Sequence, residues 1–185
     1  MSIISDVEDN ILSVVATTLP GKLRDSGSLP GAWSVDLLKQ LLQKAPAVYV
    51  AFNGGPINDN SLCTIDARFD VYAVTKEPQE ITRRRGTPAI IGAYDIIHAL
   101  VPKLHLHRVP GIGTLQGKDI ANLFSNVLTQ LGGTVYAATF TLPKMPLLGE
   151  FSDATLGDFI TFHAESDING DGTFDFTNQF NLPQG

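Results

Sequence analysis

Near the C-terminus stands the run Asp167-Ile168-Asn169-Gly170-Asp171-Gly172-Thr173-Phe174-Asp175. Oxygen-bearing side chains at loop positions one, three, five and nine, with glycine at six, match the first part of an EF-hand calcium loop. Two features depart from that loop. The twelfth position, where a bidentate carboxylate belongs, is Asn178, and Phe174, Phe176 and Phe180 alternate as in a strand instead of opening a helix. The same residues also suit a hairpin turn, because Asp, Asn and Gly tolerate positive φ. The turn is the better reading. Asp167, Asn169, Asp171 and Asp175 remain a weak calcium set, and no cofactor is expected.

His105 and His107, one residue apart, would share a face of an extended segment and could ligate a metal, but no carboxylate or third histidine stands at a telling spacing. They read as ordinary loop residues, as do His98 in a helical stretch and His163. Arg83-Arg84-Arg85 is the only dense basic run. It reads as a solvated turn or, among functional options, as a contact with acidic groups of a neighbouring subunit, ahead of passing phosphates. Gly111-Ile112-Gly113 lacks the third glycine and the preceding strand of a dinucleotide fingerprint. Cys63, the single cysteine, falls on the apolar phase of a strand and is expected to be a buried thiol. No nucleophile elbow, P-loop or H-E-x-x-H occurs, so no catalytic residue is assigned and the chain is read as a non-enzyme.

The elements that carry these residues centre on Ala67–Leu104. From Leu62 to Val74 apolar and polar residues nearly alternate, with Cys63, Ile65, Ala67, Phe69, Val71 and Ala73 on one side. That period of two marks a half-buried strand, and Tyr72 and Val74 mark its second face drying towards the end. After the arginines, Ile90, Tyr94, Ile97, Val101 and Leu104 recur at helical steps and are expected to face the core.

The rest of the chain packs on this pair. Ile4, Val7, Ile11, Val14 and Thr18 predict a first helix, with Ser5 and Glu8 as a capping box. Residues 20–33 read as irregular. Ser34 caps a second helix from Val35 to Lys44, and Ala47–Phe52 is a short strand apolar on both phases. A short strand is expected at Ile112–Gln116. Residues 119–131 fit a helix by period alone, followed by a strand at Thr134–Thr141 that Pro143 and Pro146 end. A short helix at Asp153–His163 and an extended piece at Phe174–Leu182 close the chain.

At 185 residues, with 43% hydrophobic and 17% charged residues, the chain is long enough for a sizeable core. Its net charge of -6 and pI near 5.0 disfavour a dedicated nucleic-acid binder. The opening residues lack the basic and apolar regions of a signal peptide, and no apolar run nears the ~20 residues that cross a bilayer, so a cytosolic origin without membrane association is expected.

Four stretches in order resemble one family. They are Ile3–Leu12, Pro46–Gly55, Phe69–Val74 running through the arginines to Gly92–Ile97, and Gly132–Phe140. Together they resemble the tail-terminator-type proteins of Mu-like bacteriophages and prophages, and Phe159–Ile168 resembles members that carry a C-terminal extension. The resemblance implies an α+β fold, a mostly antiparallel mixed sheet with helices packed against it, over residues 1–142, plus a C-terminal arm or hairpin over 143–185. It also implies that Ile120–Phe124 pairs as a strand with Thr134–Phe140, against the helical count. The implied function is a structural virion protein: a homo-oligomeric ring, commonly a hexamer, that caps the tail tube and ends its polymerisation. Its partners would be the tube protein and a neck or connector protein at the head-proximal end, with genomic DNA passing the lumen unbound. Assembly would take place in the host cytoplasm. Interface candidates are Arg83, Arg84, Arg85, Phe174, Phe176 and Phe180. The alternatives are another neck or tail-completion protein, a calcium-binding module on Asp167–Asp175, or a hydrolase using His105 or His107.

Overall fold

The computed structural model describes residues 2–30, 34–58, 63–123, 125–147, 161–166 and 176–181. The chain divides into two compact units, Met1–Gly149 and Glu150–Gly185. The first is a mixed α+β unit built on the predicted long strand, β4 (Thr64–Lys76). Its flanking partners are β2 (Ala47–Phe52) and β8 (Gly133–Pro146), both antiparallel to it. Outside these lie β7 (Gln116–Asn122), antiparallel to β8, and β1 (Asp25–Ser28), parallel to β2. The sheet order is β1-β2-β4-β8-β7, and β3 (Ile57–Asn58) pairs with β4 beyond the end of β2.

Alternation in the strands sorts side chains into two cores. On one face Val48, Val50, Ala67, Phe69, Val71, Ala138, Phe140 and Leu142 are buried with Val7, Ile11 and Val15 of α1 (Ile3–Thr18) and Ile96, Leu100 and Leu104 of α4 (Ala93–Leu104). On the other, Tyr49, Tyr72, Val74, Val135 and Ala137 meet Leu41 and Leu42 of α2 (Val35–Gln43) and Leu128 of α5 (Asn126–Gln130). Hence β2 and the end of β4 are apolar on both phases, as the sequence suggests. Each fully buried Leu, Ile or Phe contributes about 1.5–3 kcal/mol of transfer free energy.

Several expectations are corrected. Cys63 is exposed, just ahead of β4, and not a buried thiol. Ser2 and not Ser5 is the N-cap of α1, without a side-chain cap bond. Glu8 turns to the sheet instead, accepting from the Phe52 N–H at 3.1 Å and the Ser28 hydroxyl at 2.7 Å, which ties α1 to β1 and β2. Residues 25–28, read as irregular, form β1 because β2 offers its free edge to them. The Ser34 cap is present, its hydroxyl accepting from Leu37 N at 3.1 Å.

Pro143 does not end β8. Between Ile65/Ala67 and Leu142/Met145 the register shifts, so Pro143 and Lys144 oppose the single residue Asp66. A bulge is where a strand tolerates proline, since no ladder donor is required there. The Asp66 carboxylate accepts from the Lys144 N–H at 2.9 Å and from Asn58 Nδ2 at 3.0 Å. The Asn58 bond, then the Lys144 one, holds its pKa below the ordinary carboxylate value. Residues 119–131 prove to be two elements: β7 up to Asn122, with Ile120 opposite Ala138, then the short α5. The short strand expected at Ile112–Gln116 falls across β6 (Gly113–Thr114), which pairs with β5 (Arg108–Val109), and the start of β7.

The second unit contains an antiparallel hairpin, β9 (Thr161–Ser166) with β10 (Phe176–Asn181), in register Phe176↔Ser166 and Phe180↔Phe162. Residues 161–163 are therefore strand and not the end of a helix. The candidate calcium residues Asp167, Asn169, Asp171 and Asp175, with Phe174, lie outside the described residues.

Candidate subunit interface

The three arginines occupy a short helix, α3 (Glu80–Arg85), and not an open turn. They face different ways. Arg83 is buried, 5% exposed, and donates from Nε to Thr134 Oγ1 at 3.0 Å and from Nη1 to the Glu77 carbonyl at 3.0 Å. Its own carbonyl accepts from the Thr75 hydroxyl at 2.7 Å. Arg83 thus fastens α3 to the ends of β4 and β8 and is not an interface residue of the free surface. Sequence alone carried no signal of this, because nothing but the fold brings Thr134 beside it.

Arg84 and Arg85 remain available at the surface. Arg84 Nε stands 3.2 Å from the Glu80 carboxylate but out of line for a hydrogen bond, and its Nη1 donates to the Tyr94 hydroxyl at 3.4 Å. The guanidinium carbon also lies 6.0 Å from the Tyr94 ring centre, at the limit of a cation–π contact. Tyr94 meets Tyr136 of β8 edge to face, centroids 5.4 Å apart, and the Tyr136 hydroxyl donates to that of Tyr94 at 3.3 Å. Burial, then the bond to Tyr94, pushes the Tyr136 phenol up to about 12, while accepting that bond, with Arg84 and Arg85 nearby, lowers Tyr94.

The corner is held rigid by a backbone crossing at Gly86 and Gly92. A Cβ on Gly92 would stand on the Gly86 nitrogen, so α3 and the start of α4 approach as closely as backbones can. Gly92 N donates to the Asp95 carboxylate at 2.9 Å, closing the first turn of α4. This fixes the phase of α4. Ala93, Ile96, Leu100 and Leu104 face the core; of the predicted stripe Leu104 is therefore buried, Ile97 and Val101 lie at the core's margin, and Ile90 and Tyr94 are exposed. Tyr94 is 39% exposed and Ile81, one turn before Arg84 and Arg85, is 55% exposed.

Beside α4 lies β7, which among the described residues pairs on one side only, with β8. Ile120 at its centre is 48% exposed, and Leu123 and Val127 beyond it are exposed too. An open strand edge next to apolar side chains is a template for another chain.

His105 and His107 are structural pins. His107 Nε2 is 2.9 Å from Asn10 Oδ1, joining the loop after α4 to α1, and His105 Nδ1 accepts from Gly117 N at 3.1 Å. Among the described residues no group of three His, Cys, Asp or Glu is gathered for a metal. Gly111 and Ile112 lie in the turn between β5 and β6, with Gly111 at φ 73°, and Gly113 opens β6. No described helix is long and apolar enough to cross a membrane.

A family model described as Bacteriophage Mu, Gp37 matches residues 3–145. The "Mu-like prophage FluMu protein gp37" of Haemophilus influenzae is 31% identical over 159 residues, 86% of this chain and 78% of that protein. Among solved structures, a chain of the "Virion of native gene transfer agent (GTA) particle" is similar at a TM-score of 0.41 and 10% identity, over 78% of this chain and 92% of that one. With most of its length matched by the family model and by a relative of that identity, the chain belongs to the Mu-like phage Gp37 family.

Proposed function

We propose that this chain is a structural virion protein, a phage tail terminator whose ring, six subunits in the simplest closure, caps the tail tube at its head-proximal end. Membership of a Mu phage family sets the context. The observation that carries the reading is the β7 edge, open among the described residues, with Ile120, Leu123 and Val127 exposed along it. A growing tube offers each new ring an edge to copy, and a terminator must match that edge on one face and offer no equivalent on the other. In a closed ring each subunit presents two different, mutually complementary patches. The sheet has two unlike edges: β7 is long and apolar-flanked, whereas β1 is the four-residue Asp25–Ser28, half covered by Glu8 and α1. With a net charge of -6 the chain as a whole would hold passing DNA by few phosphate contacts.

The test is a tube-length assay. Tail tube protein polymerises alone or with this chain, and lengths are read by negative-stain microscopy. Tubes that stop short and carry a ring at one end are expected. Unchanged lengths without an end-bound ring would refute the terminator, and binding to a connector alone would instead indicate a neck-completion protein.

A further inference from the structure

At the end of the sheet where β1, β2 and β8 begin and β4 finishes, two cavities lie side by side. One, of about 500 Å³, opens between Leu42 of α2 and Leu131 after α5; the other, of about 730 Å³, opens between the end of α1 and the segment 87–91. Arg24 and Glu77 line both, so the two make one groove. Its walls are held in place by the fold itself. Arg24 N donates to the Pro46 carbonyl at 2.8 Å and Glu77 N to the Gly132 carbonyl at 3.1 Å. Arg83, the buried brace, holds the Glu77 and Pro78 carbonyls from Nη1. A groove formed in advance spares its occupant part of the ordering cost of binding.

The lining has two components. Pro20, Pro46, Pro78 and Pro88, with Leu42 and Ile91, form apolar walls. Lys22, Arg24 and Lys76 stand exposed along them, and among the described residues none of the three is in an ion pair. Nearby Lys44, by contrast, is already paired with Asp25 at 3.0 Å. Two carboxylates oppose the three cations. Asp95 accepts from Gly92 N, and Glu77 lies at the junction of the cavities. The groove is therefore net positive in a chain whose net charge is -6.

That pairing of features selects the occupant. No aromatic ring lines the groove to stack a base, and Glu77 and Asp95 would repel a continuous run of phosphates. A peptide with spaced carboxylates and apolar residues between them fits both components, since guanidinium and ammonium groups hold carboxylates by charge-assisted hydrogen bonds. We propose that this groove binds an extended acidic segment of a partner protein, its carboxylates at Lys22, Arg24 and Lys76 and its apolar side chains against the proline walls. The β7 edge and the ring reading play no part in it.

The test is fluorescence anisotropy on the full chain with a labelled peptide of alternating Asp and Leu. Controls are the same peptide with every Asp replaced by Asn, and a labelled single-stranded oligonucleotide. Saturable binding of the acidic peptide is expected, at least tenfold tighter than that of the Asn peptide and weakened by salt. Arg24→Ala/Lys76→Ala should weaken it at least fivefold, whereas Lys118→Ala/Lys144→Ala, exposed cations outside the groove, should leave it unchanged. Glu77→Gln, which removes the opposing carboxylate, should tighten it at least twofold, a gain that damage to the fold does not mimic. Equal binding of the Asp and Asn peptides, no saturation, or indifference to the groove variants overturns the proposal. An oligonucleotide bound as tightly as the acidic peptide makes the groove a phosphate site. A solution mass, by light scattering, that falls in Arg24→Ala/Lys76→Ala gives the groove to a second copy. Either result also overturns the proposal.

Discussion

Replacing Arg83 by Met keeps the length of the side chain and removes its donors. Thr134 Oγ1 and the Glu77 carbonyl, at 3.0 Å each, and the Pro78 carbonyl at 3.4 Å then lose their partner in a place that admits little water. A hydrogen bond from a charged donor contributes about 1.5–3 kcal/mol, and relief from burying the guanidinium returns part of that. The net loss for Arg83→Met is about 2–3 kcal/mol. With a urea m-value of about 2 kcal/mol/M, the midpoint falls by roughly 1–1.5 M. The control is Arg85→Met, exposed and two residues on, which stays within about 0.5 kcal/mol. Both are measured by circular dichroism at one protein concentration, because association would shift the midpoint by mass action. An Arg83→Met midpoint within about 0.25 M of the parent, or a larger loss in Arg85→Met, would refute the assignment of Arg83 as an internal brace.

Three further outcomes are expected. Glu8→Ala, which loses the bonds to Phe52 N and Ser28, costs about 1–2 kcal/mol in urea melts, while Ser5→Ala costs under about 0.5 kcal/mol; the reverse order would restore the capping box. Gly92→Ala costs about 3 kcal/mol or fails to fold, because its Cβ would meet the backbone of Arg84, Arg85 and Gly86; thermal melts equal to the parent would show the crossing to be loose. In ultraviolet titration Tyr94 ionises ahead of Tyr136, whose phenol persists to about pH 12. A phenol pKa raised in the fold stabilises the folded state below about pH 10. That contribution is lost as pH climbs through about 12, and Tyr136→Phe removes this slope from stability against pH.

The long strand was legible because only one face of residues 65–71 is deeply buried, which leaves a clean period of two. The phase of α4 was not. Ile90–Tyr94–Ile97–Val101 and Ala93–Ile96–Leu100 are both helical stripes that lead to Leu104, and the choice between them fell to the Gly86–Gly92 crossing, which no period encodes. In β1, Asp25-Ser26-Gly27-Ser28 has no strand propensity, and pairing with β2 overrides its composition. Ile120, Leu123 and Val127 counted as one helix because a strand and a short helix abut there. Of the candidate interface residues, Arg84 and Arg85 could be named from their run, but Tyr94 against Tyr136 joins positions 42 apart in the chain and needed the fold to be seen.

The pairing of β4 with β8, from Thr64↔Pro146 to Lys76↔Gly133, also governs how the protein emerges from the ribosome. These partners lie from 57 to 82 residues apart. At about 5–20 residues per second, β4 waits several seconds for its partner to be synthesised. Its waiting edge includes Phe69, Val71, Tyr72 and Val74, all apolar or aromatic. Contacts this distant in sequence form slowly, so the half-made sheet is the stage most open to misassociation. The yield of folded chains would then be governed by the pace of translation and by chaperones that shield β4 until β8 arrives.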